Sequence, residues 1–494
     1  MNKLIFFLLL SLPLFSQGLN LDDSVAYDLK AKKQLYLKLE TAALPASVDL
    51  SMYVPSVIDQ GEHSTCVGIS TTYYMRTIMK AIDLNLTDRA EIDKLRFSPS
   101  FTYNAIKDSL DIDCQFGTFL TDAFDFMKKN GAADYNLLPY PSCASTALIE
   151  TGEDSKILDY TTLFTLIQNN QDKVNITKKA LAERSPVVAA IVTTSSLSSP
   201  GFFKKLWFSI LQLFNISLSD EYRYSLWQPE KSKKLLGGHA ICIVGYDDQK
   251  FGGAFHAVNS YGPDFGDEGF FWIRYSDFLK HAKYGYQAFV KPDSKPGEIE
   301  MSGEFYFEYM MSQQKDSLNF ELNNSIQTQA SEAKDSLVQY FLPNQETQTN
   351  YRVQVRTGNQ VYIYLLTKSE KSGIVQKLYP ETLTDQPPIG PESLFQLPND
   401  ESFLQLRPPF GQEYICILFS PIQIPRISWL IEDMNAMNGS FPQQLQAVFG
   451  DLLVPRDQVQ YLKHKMGFEL KGDHEGQVVP LLISFSQVER KPLF

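Results

Sequence analysis

The sequence predicts an α+β protein with two main domains, and three observations support this class. The length of 494 residues is enough for two or three domains that each bury a core. After Cys66, apolar and aromatic residues recur at helical spacing, at Ile69, Tyr73, Tyr74, Ile78 and Ile82. The segment 351–356 alternates apolar with polar residues, and a second apolar run covers 361–366, which together predict a β-hairpin.

Composition and charge narrow the class of function. Hydrophobic residues make up 44% and charged residues 21% of the chain, which is typical of soluble globular proteins. The net charge is −12, whereas a nucleic-acid binder needs clustered Lys and Arg to neutralise phosphates. We therefore expect no nucleic-acid partner, and we interpret the acidity as a contribution to solubility.

The first 18 residues have the pattern of a signal peptide. Lys3 supplies a positive charge, residues 4–15 are mostly apolar, and the small residue Ser16 offers a cleavage site. The apolar run is shorter than the ~20 residues that span a bilayer, and the later apolar patch 202–216 is interrupted by polar residues. The sequence thus predicts a protein that is secreted or periplasmic after signal-peptide removal, with no membrane span.

Shifts in composition divide the rest of the chain into four parts. A short N-terminal segment covers 19–43, and a first domain rich in turns and aromatic residues covers 44–295. A polar stretch heavy in Gln, Asn and Ser predicts a linker or crossover over 296–350. Residues 351–494 form the predicted smaller, mostly-β C-terminal domain.

Five cysteines are too few for a disulfide-stapled scaffold, and their odd number leaves at least one free thiol in an exported chain. The sequence contains no CxxC pair, which would be typical of a zinc site or a redox motif. It therefore predicts neither a metal nor another cofactor. Cys66 begins the predicted helix, where unpaired amides and the macrodipole lower the pKa of a thiol. A catalytic nucleophile and a buried core residue are the two interpretations of Cys66.

A cysteine nucleophile needs an imidazole base, and the imidazole needs a group that holds its tautomer. His239 lies where a glycine turn enters an apolar strand, and Asn259 follows the next strand after a turn at 245–253. A two-stranded hairpin would bring Asn259 beside His239. His63 and His256 are interpreted as structural histidines, and Cys242 as a buried, inert thiol.

Three segments in order, 60–66, 237–246 and 259–270, closely resemble the signature segments of papain-like cysteine peptidases, over about half the chain. This resemblance implies a two-lobed domain that starts near Leu44, with a helical left lobe and a β-rich right lobe. Cys66 precedes His239 by 239 − 66 = 173 positions, more than the family's ~130–150, which an insertion at 195–234 would explain.

The resemblance also assigns roles to individual residues. Cys66 becomes the nucleophile, His239 the base, Asn259 the orienter of the imidazole and Gln60 an oxyanion donor. Substrate would bind along three further residues, Phe116, Gly117 and Gly238, where Phe116 replaces a glycine of the family and narrows the cleft. An aromatic shield over the contact between His239 and Asn259 would come from Tyr261, which replaces a tryptophan.

The chain also departs from the family pattern. His63, Ser64, Thr65 and Val67 replace a structural cysteine, two small residues and a tryptophan around the nucleophile. Without a cysteine at position 63, either Cys114 pairs with Cys143 or both stay reduced. Fewer than 30 residues separate Ser16 from Leu44, too few for the long inhibitory pro-segment of such zymogens. Any latency would need another device.

The predicted function is therefore a secreted cysteine endopeptidase with a polypeptide substrate. A Cys-dependent amidase acting on peptidoglycan or isopeptide bonds is the alternative enzyme, because the same groups attack any acyl carbon. A non-catalytic binding protein on a papain-like fold is the third interpretation. The C-terminal half resembles a β-rich domain of unknown function that is appended to bacterial peptidases, and it either spaces the chain or binds an envelope or protein partner.

Overall fold

The structure is a computed structural model that describes residues 18–21, 27, 37–38, 44–143, 149–166, 170–194, 196–197, 225–229, 235–291, 299–314, 317–323, 337–380, 386–399, 402–472, 474 and 476–489. Residues 1–17 of the predicted signal peptide, the apolar patch 202–216 and most of the predicted insertion lie outside these ranges. The chain divides into two compact units, one of Met1–Ala31 and Leu44–Ala288, the other of Lys32–Ala43 and Phe289–Phe494.

One lobe of the first unit is helical and begins with the helix that carries Cys66. Its segments are Cys66–Gly68, Ile69–Arg76, Thr77–Asp83, Arg89–Ile92, Pro99–Ile106 and Leu120–Asn130, with short 3₁₀ turns at Ser51–Tyr53, Asp93–Leu95 and Glu153–Ser155. The first three form one continuous helix whose middle, Ile69–Arg76, is π-helical. Ser98 caps the helix Pro99–Ile106 by accepting a hydrogen bond from the backbone of Phe101, and a proline occupies the first helical position.

The other lobe of the first unit is an eight-stranded sheet. Its strands in spatial order are Asp159–Phe164, Ala282–Phe289, Val187–Thr194, Leu235–Asp247, Ala254–Val258, Phe270–Arg274 and Leu226–Trp227, and Ser47–Asp49 pairs with the long strand Leu235–Asp247. The helices Asn170–Ala182 and Tyr275–His281 and the turn Lys250–Gly252 belong to the same unit. The predicted α+β class, with a helical lobe and a β-rich lobe, is confirmed, and the main part of this unit runs from Leu44 to Ala288.

The long strand of this sheet continues into the predicted hairpin. Strands Leu235–Asp247 and Ala254–Val258 pair antiparallel from Asp247 opposite Ala254 to Cys242 opposite Val258. Asn259 directly follows the last residue of the second strand, Val258. The hairpin therefore returns the chain to the level of His239, as the sequence predicts.

The second unit contains two β-sheets around a common apolar core. One sheet has the strands Leu37–Lys38, Ser393–Leu397, Asn350–Thr357, Ile299–Gln314, Gly467–Lys471 and Val459–Tyr461, with Ser317–Asn323 and Leu404–Gln405 at its side. The other has Val338–Phe341, Val479–Val488, Gly411–Ser420, Tyr362–Ser369 and Val375–Tyr379, with Gln345–Glu346 paired to its second strand. The helical segments of the second unit are Ile427–Ala436, Phe441–Phe449, Gly450–Leu452 and Arg456–Gln458.

Two features of the second unit differ from the sequence expectation. The strands Asn350–Thr357 and Tyr362–Ser369 exist, but they belong to different sheets instead of forming a hairpin. Apolar residues of both, such as Val355 and Ile363, meet in the shared core, and this packing outweighs local pairing. The stretch 296–350, expected to be a linker, contains the strand Ile299–Gln314, whose buried Phe305 and Phe307 alternate with polar residues.

The cysteines leave three free thiols in the described chain. Cys114 and Cys143 form a disulfide with a Cα–Cα distance of 6.0 Å, which decides between the two alternatives left open by the sequence. Cys66, Cys242 and Cys416 are free and buried. Among the described residues, no helix is both long and apolar enough to cross a membrane.

The core of the second unit gives a stability prediction. Ile417 is fully buried in this core, whereas Ile374 is 55% exposed. Ile417→Ala should cost about 2–5 kcal/mol of unfolding free energy through lost burial and a cavity, while the control Ile374→Ala should cost less than ~0.5 kcal/mol. The effect of each substitution on the free energy of unfolding is measured by hydrogen exchange in peptides from residues 411–488. Equal effects of the two substitutions would contradict the core assignment.

Candidate active site

Cys66 lies at the first position of its helix and faces the long strand of the sheet. The residue before it, Thr65, makes no capping bond with its side chain and instead pairs with the Tyr140 hydroxyl at 2.8 Å. One turn further along the helix, Ser70 Oγ donates to the carbonyl of Ala240 at 2.9 Å. The backbone of Ala240 opposes the rise in the pKa of the Cys66 thiol. The helix start is therefore fastened beside His239, the neighbour of Ala240.

His239 is buried and its tautomer follows from its partners. Its Nε2 lies 2.8 Å from Asn259 Oδ1, and that oxygen also accepts the backbone N–H of Ser260 at 2.9 Å. Because Oδ1 can only accept, Nε2 must carry the hydrogen, and Nδ1 of the neutral imidazole is left as the basic nitrogen. Among the described residues, the buried Nδ1 has no hydrogen-bond partner.

Asn259 is held from both lobes. Its backbone N–H donates to the carbonyl of Gly269 at 3.0 Å, and its own carbonyl accepts the hydroxyl of Tyr74 at 3.0 Å. Tyr74 belongs to the helix that starts at Cys66, so the same helix positions the thiol and the amide. Tyr261 lies against the His239 ring with a centroid distance of 5.0 Å and an interplanar angle of 27°, where an aromatic shield was expected.

Gln60 is 1% exposed and is bound on both sides of its amide. Its Oε1 accepts the hydroxyl of Ser260 at 2.5 Å, and its Nε2 donates to the carbonyl of His63 at 2.9 Å. Its backbone carbonyl accepts the Tyr140 hydroxyl at 2.9 Å. These contacts fix which end of the amide is the nitrogen, and they direct that nitrogen toward the loop that precedes Cys66.

The three predicted substrate-binding residues, Phe116, Gly117 and Gly238, differ in their contacts with residues 18–21. Gly117 and Gly238 lie on opposite sides of residues 18–21, and a Cβ on Gly238 would stand 2.6 Å from the carbonyl oxygen of Leu19. Gly238 is therefore a point of close backbone approach, where only glycine fits. Phe116 is 49% exposed, and its carbonyl accepts the hydroxyl of Tyr103. Thr118, the residue after Gly117, was not singled out from the sequence, and it pairs with the backbone of residues 18–20.

Burial controls the ionisation of the two central groups. It raises the pKa of the Cys66 thiol to about 11, and hydrogen bonds with the backbone of Ala240, Gly18 and Val67 only partly oppose this. It lowers the pKa of His239 to about 4, against the opposing bond with Asn259. The lowered thiol pKa expected at a helix N-terminus is therefore not found, because loss of water outweighs the helix dipole. The pair is a neutral thiol and a neutral imidazole.

The other histidines and the other thiol near the site, His63, His256 and Cys242, have the surroundings that were expected of structural residues. His63 Nδ1 lies 3.3 Å from the carbonyl of Asp113. His256 stacks on Trp272 at 4.5 Å, and burial lowers its pKa to about 4. Cys242 is fully buried, and burial raises its pKa.

Two contributors to the site were missed by sequence reasoning. Ser260 orients the amide of Gln60, and Tyr140 binds both the Gln60 carbonyl and Thr65. Ser260 directly follows Asn259 in the segment 259–270 already noted, and Tyr140 lies between two prolines near Cys143. Their roles depend on long-range contacts of 200 and 80 residues, which no local pattern reveals.

Comparisons with known proteins find similarity over about half of the chain. No protein-family model matches the chain. A cathepsin B-like protein, CP2 of Giardia intestinalis, is 25% identical over 222 residues, which are 44% of this chain and 63% of the relative. The chain thus spans less than two thirds of the length of this curated relative.

Two solved structures are similar at lower identity. Xylellain, a cysteine protease from Xylella fastidiosa, matches with 21% identity and a TM-score of 0.40 over 56% of this chain and 96% of its own. Digestive procathepsin L 3 from the larval midgut of Tenebrio molitor matches with 18% identity and a TM-score of 0.36, over 54% of this chain and 78% of its own.

The buried imidazole gives a pH prediction. With a pKa lowered from 6.5 to about 4, His239 stays neutral in the folded protein while the unfolded chain binds a proton between these values. Stability from this group is complete above pH 6.5 and is lost as the pH falls toward 4. Histidine NMR, assigned with His239→Gln and His256→Gln, should give a His239 midpoint near 4. A midpoint at or above 6.5 would contradict the buried, neutral imidazole.

Proposed function

We propose that the first unit is a cysteine peptidase whose thiol, base, orienter and oxyanion donor are Cys66, His239, Asn259 and Gln60. The observation that carries this proposal is the imidazole with Nε2 bound to an amide oxygen and Nδ1 buried and unpaired beside the thiol-bearing helix. Such an arrangement prepares a base to take a proton from sulfur. The 25% identity with a cathepsin B-like protein supports the same reaction class.

Each group has one step in the reaction. His239 Nδ1 takes the Cys66 proton, and the sulfur forms a bond to the carbonyl carbon of the scissile peptide. The oxyanion that develops is stabilised by the Gln60 amide and the Cys66 backbone N–H. As the C–N bond breaks, the imidazolium returns the proton to the leaving amine and a thioester remains. Water then attacks the thioester with His239 as the base, the C–S bond breaks and the acid product leaves, and the imidazolium returns its proton to the Cys66 thiolate.

Asn259 acts on the imidazole and not on the substrate. Its Oδ1 accepts the Nε2 hydrogen in both the neutral and the charged ring, so the ring keeps its orientation through proton transfer. The side-chain oxygen also accepts the backbone N–H of Ser260, and the backbone N–H of Asn259 donates to the carbonyl of Gly269. Tyr261 covers one face of the ring and limits access of water to this contact.

The substrate is proposed to be a polypeptide that lies between Gly117 and Gly238. The protein is proposed to act outside the cytoplasm, since residues 1–18 have the pattern of a cleaved signal peptide. The second unit is proposed to bind an envelope surface or a protein partner, because exposed Trp429, 59% accessible, carries a stacked Arg426 on its surface.

Substitution of the thiol and its base tests the proposal. Cys66→Ala removes the nucleophile, and His239→Ala removes its base, so each should abolish hydrolysis of a fluorogenic dipeptide, and the two losses should not add. Asn259→Ala leaves both reacting groups and should cause a smaller loss. The matched control His256→Ala should keep most activity. If His256→Ala inactivated the protein and His239→Ala did not, the base would be wrongly assigned.

The oxyanion donor has its own kinetic signature. Gln60→Ala should lower kcat by about 10²–10³ with little change in KM, because the hydrogen bond tightens as the oxyanion forms. The control Gln115→Ala changes an exposed glutamine on a neighbouring loop and should leave kcat unchanged. Purified peptidoglycan assayed in parallel identifies an amidase, and absence of turnover on both substrates would contradict an enzyme of either kind.

A further inference from the structure

Residues 60–65 form the loop before the proposed nucleophile and are named the oxyanion loop. One side of this loop is held by two hydrogen bonds from Ser64. Its backbone N–H donates to the carbonyl of Cys114 at 2.7 Å, and its hydroxyl donates to the carbonyl of Gln115 at 2.6 Å. Both partners are backbone carbonyls, so this side of the oxyanion loop follows the path of the chain at 114–115.

The other side of the oxyanion loop is held by Tyr140. Its hydroxyl donates to the carbonyl of Gln60 at 2.9 Å and pairs with Thr65 Oγ1 at 2.8 Å. Because a hydroxyl carries one hydrogen, Thr65 is the donor in the second bond. One phenol oxygen therefore contacts the first and the last residue of the oxyanion loop.

The segment that carries Tyr140 is anchored to a helix. The N–H of Ser142 donates to Ser100 Oγ at 3.1 Å, and its carbonyl accepts Asn104 Nδ2 at 2.7 Å. Both partners belong to the helix Pro99–Ile106. The next residue along the chain is a cysteine of the disulfide, so this anchoring extends through sulfur to the segment on the other side of the oxyanion loop.

The disulfide between Cys114 and Cys143 thus joins the two segments that hold the oxyanion loop. Cys114 supplies the carbonyl bonded to Ser64, and Cys143 lies three residues after Tyr140. The two cysteines are 29 positions apart in the sequence. Covalent bonds and hydrogen bonds form one closed cycle that runs through the oxyanion loop, and the S–S bond is its only link that a reductant breaks.

The backbone of Cys114 shows that its position is imposed by its surroundings. Its φ is +62°, a left-handed conformation that residues other than glycine rarely adopt. Such a conformation persists where neighbouring contacts impose it. One of them is local, since buried Asp111 accepts the N–H of Gln115 on Oδ1 at 2.8 Å, and the other is the disulfide. Reduction removes one of two constraints, so its effect on the loop is partial.

We propose that the Cys114–Cys143 disulfide positions the oxyanion loop, and that its reduction lowers turnover by loosening the Gln60 amide. This inference rests on the proposed peptidase function, because it assigns what holds the oxyanion donor of that reaction. The reaction needs Cys66 as a thiol and the other two cysteines as a disulfide. Activity therefore has an upper and a lower limit in redox potential.

The reductant in this proposal is a dithiol. One of its thiolates attacks a disulfide sulfur, the S–S bond breaks with its electron pair on the other cysteine, and a mixed disulfide forms. The second thiolate of the reagent displaces the bound cysteine, so the reagent leaves as a cyclic disulfide. Two electrons and the two protons of the dithiol pass to the cysteines, which become thiols. Cys114 is 1% exposed and Cys143 is half-buried, so Cys143 is the sulfur open to attack.

The first test compares substitution with reduction in the full chain. Cys143→Ser breaks the disulfide and keeps every hydrogen-bonding residue of the cycle. Its kcat on a fluorogenic dipeptide should fall about 10-fold with little change in KM, a loss equivalent to one or two hydrogen bonds. The control Met127→Ala opens a cavity at a fully buried position in the helix Leu120–Asn130 of the same lobe and should keep kcat.

Redox titration gives the signature of the two opposing requirements. Across ratios of oxidised to reduced dithiothreitol, wild-type activity should rise as Cys66 becomes a thiol and fall as the disulfide is reduced. Alkylation and mass spectrometry follow each cysteine. Cys143→Ser should show the rise without the fall. A wild-type activity that stays constant while the disulfide is fully reduced would overturn the proposal.

A double substitution separates positioning from general stability. If the disulfide acts through the Gln60 amide, Cys143→Ser should change kcat by less than about 2-fold in a Gln60→Ala background. A disulfide that only stabilises the lobe would lower kcat by the same factor in both backgrounds. That additive result would contradict a positioning role.

Hydrogen exchange tests the oxyanion loop without turnover. On reduction, peptides covering residues 60–65 should exchange faster, because the N–H of Ser64 loses its fixed carbonyl, while peptides from residues 411–488 should not change. Unchanged exchange at 60–65 after complete reduction would show that the disulfide does not hold the loop. If exchange accelerates while no peptide is hydrolysed under any condition, the disulfide holds the loop as proposed and the peptidase function is what fails.

Discussion

The contact between the Cys66 helix and the strand Leu235–Asp247 is the constraint on which the site depends. A hydrogen bond from Ser70 to the carbonyl of Ala240 fastens it, and a second bond, from Tyr74 to the carbonyl of Asn259, ties the same helix to the residue that follows the neighbouring strand Ala254–Val258. Both donors are on the helix and both acceptors are backbone groups next to the site. Since all four groups are buried, breaking either bond would leave unpaired polar atoms, and this cost keeps thiol, imidazole and amide in register.

Around this contact, a second set of bonds organises the loop that precedes Cys66. The amide of Gln60 is held by Ser260 and His63, and Tyr140 binds the carbonyl of Gln60 together with Thr65. These hydrogen bonds join Gln60, the proposed oxyanion donor, to the segment that supplies Asn259. A preorganised donor stabilises a developing charge without first having to reorient. The hydrogen bonds that fix the Gln60 amide therefore matter more for this orientation than for the free energy of each bond.

The protonation state of the site follows from the same burial. A thiol covered by protein and an imidazole without water are both most stable when neutral, and the backbone bonds to sulfur are too weak to reverse this. An ion pair needs an environment that solvates both charges.

The sequence by itself determined the α+β class, the helix at Cys66 and the contact of His239 with Asn259, because each depends on local periodicity or on one short hairpin, while the two lobes were expected only from the resemblance of three segments to a known family. Tertiary structure decided what local patterns do not contain. It assigned residues 350–357 and 362–369 to separate sheets, paired Cys114 with Cys143, and placed Tyr27 against Tyr284, 257 positions away as 284 − 27. It also reversed the expected thiol pKa, since burial depends on which distant segment covers a group, and no short stretch of sequence encodes that.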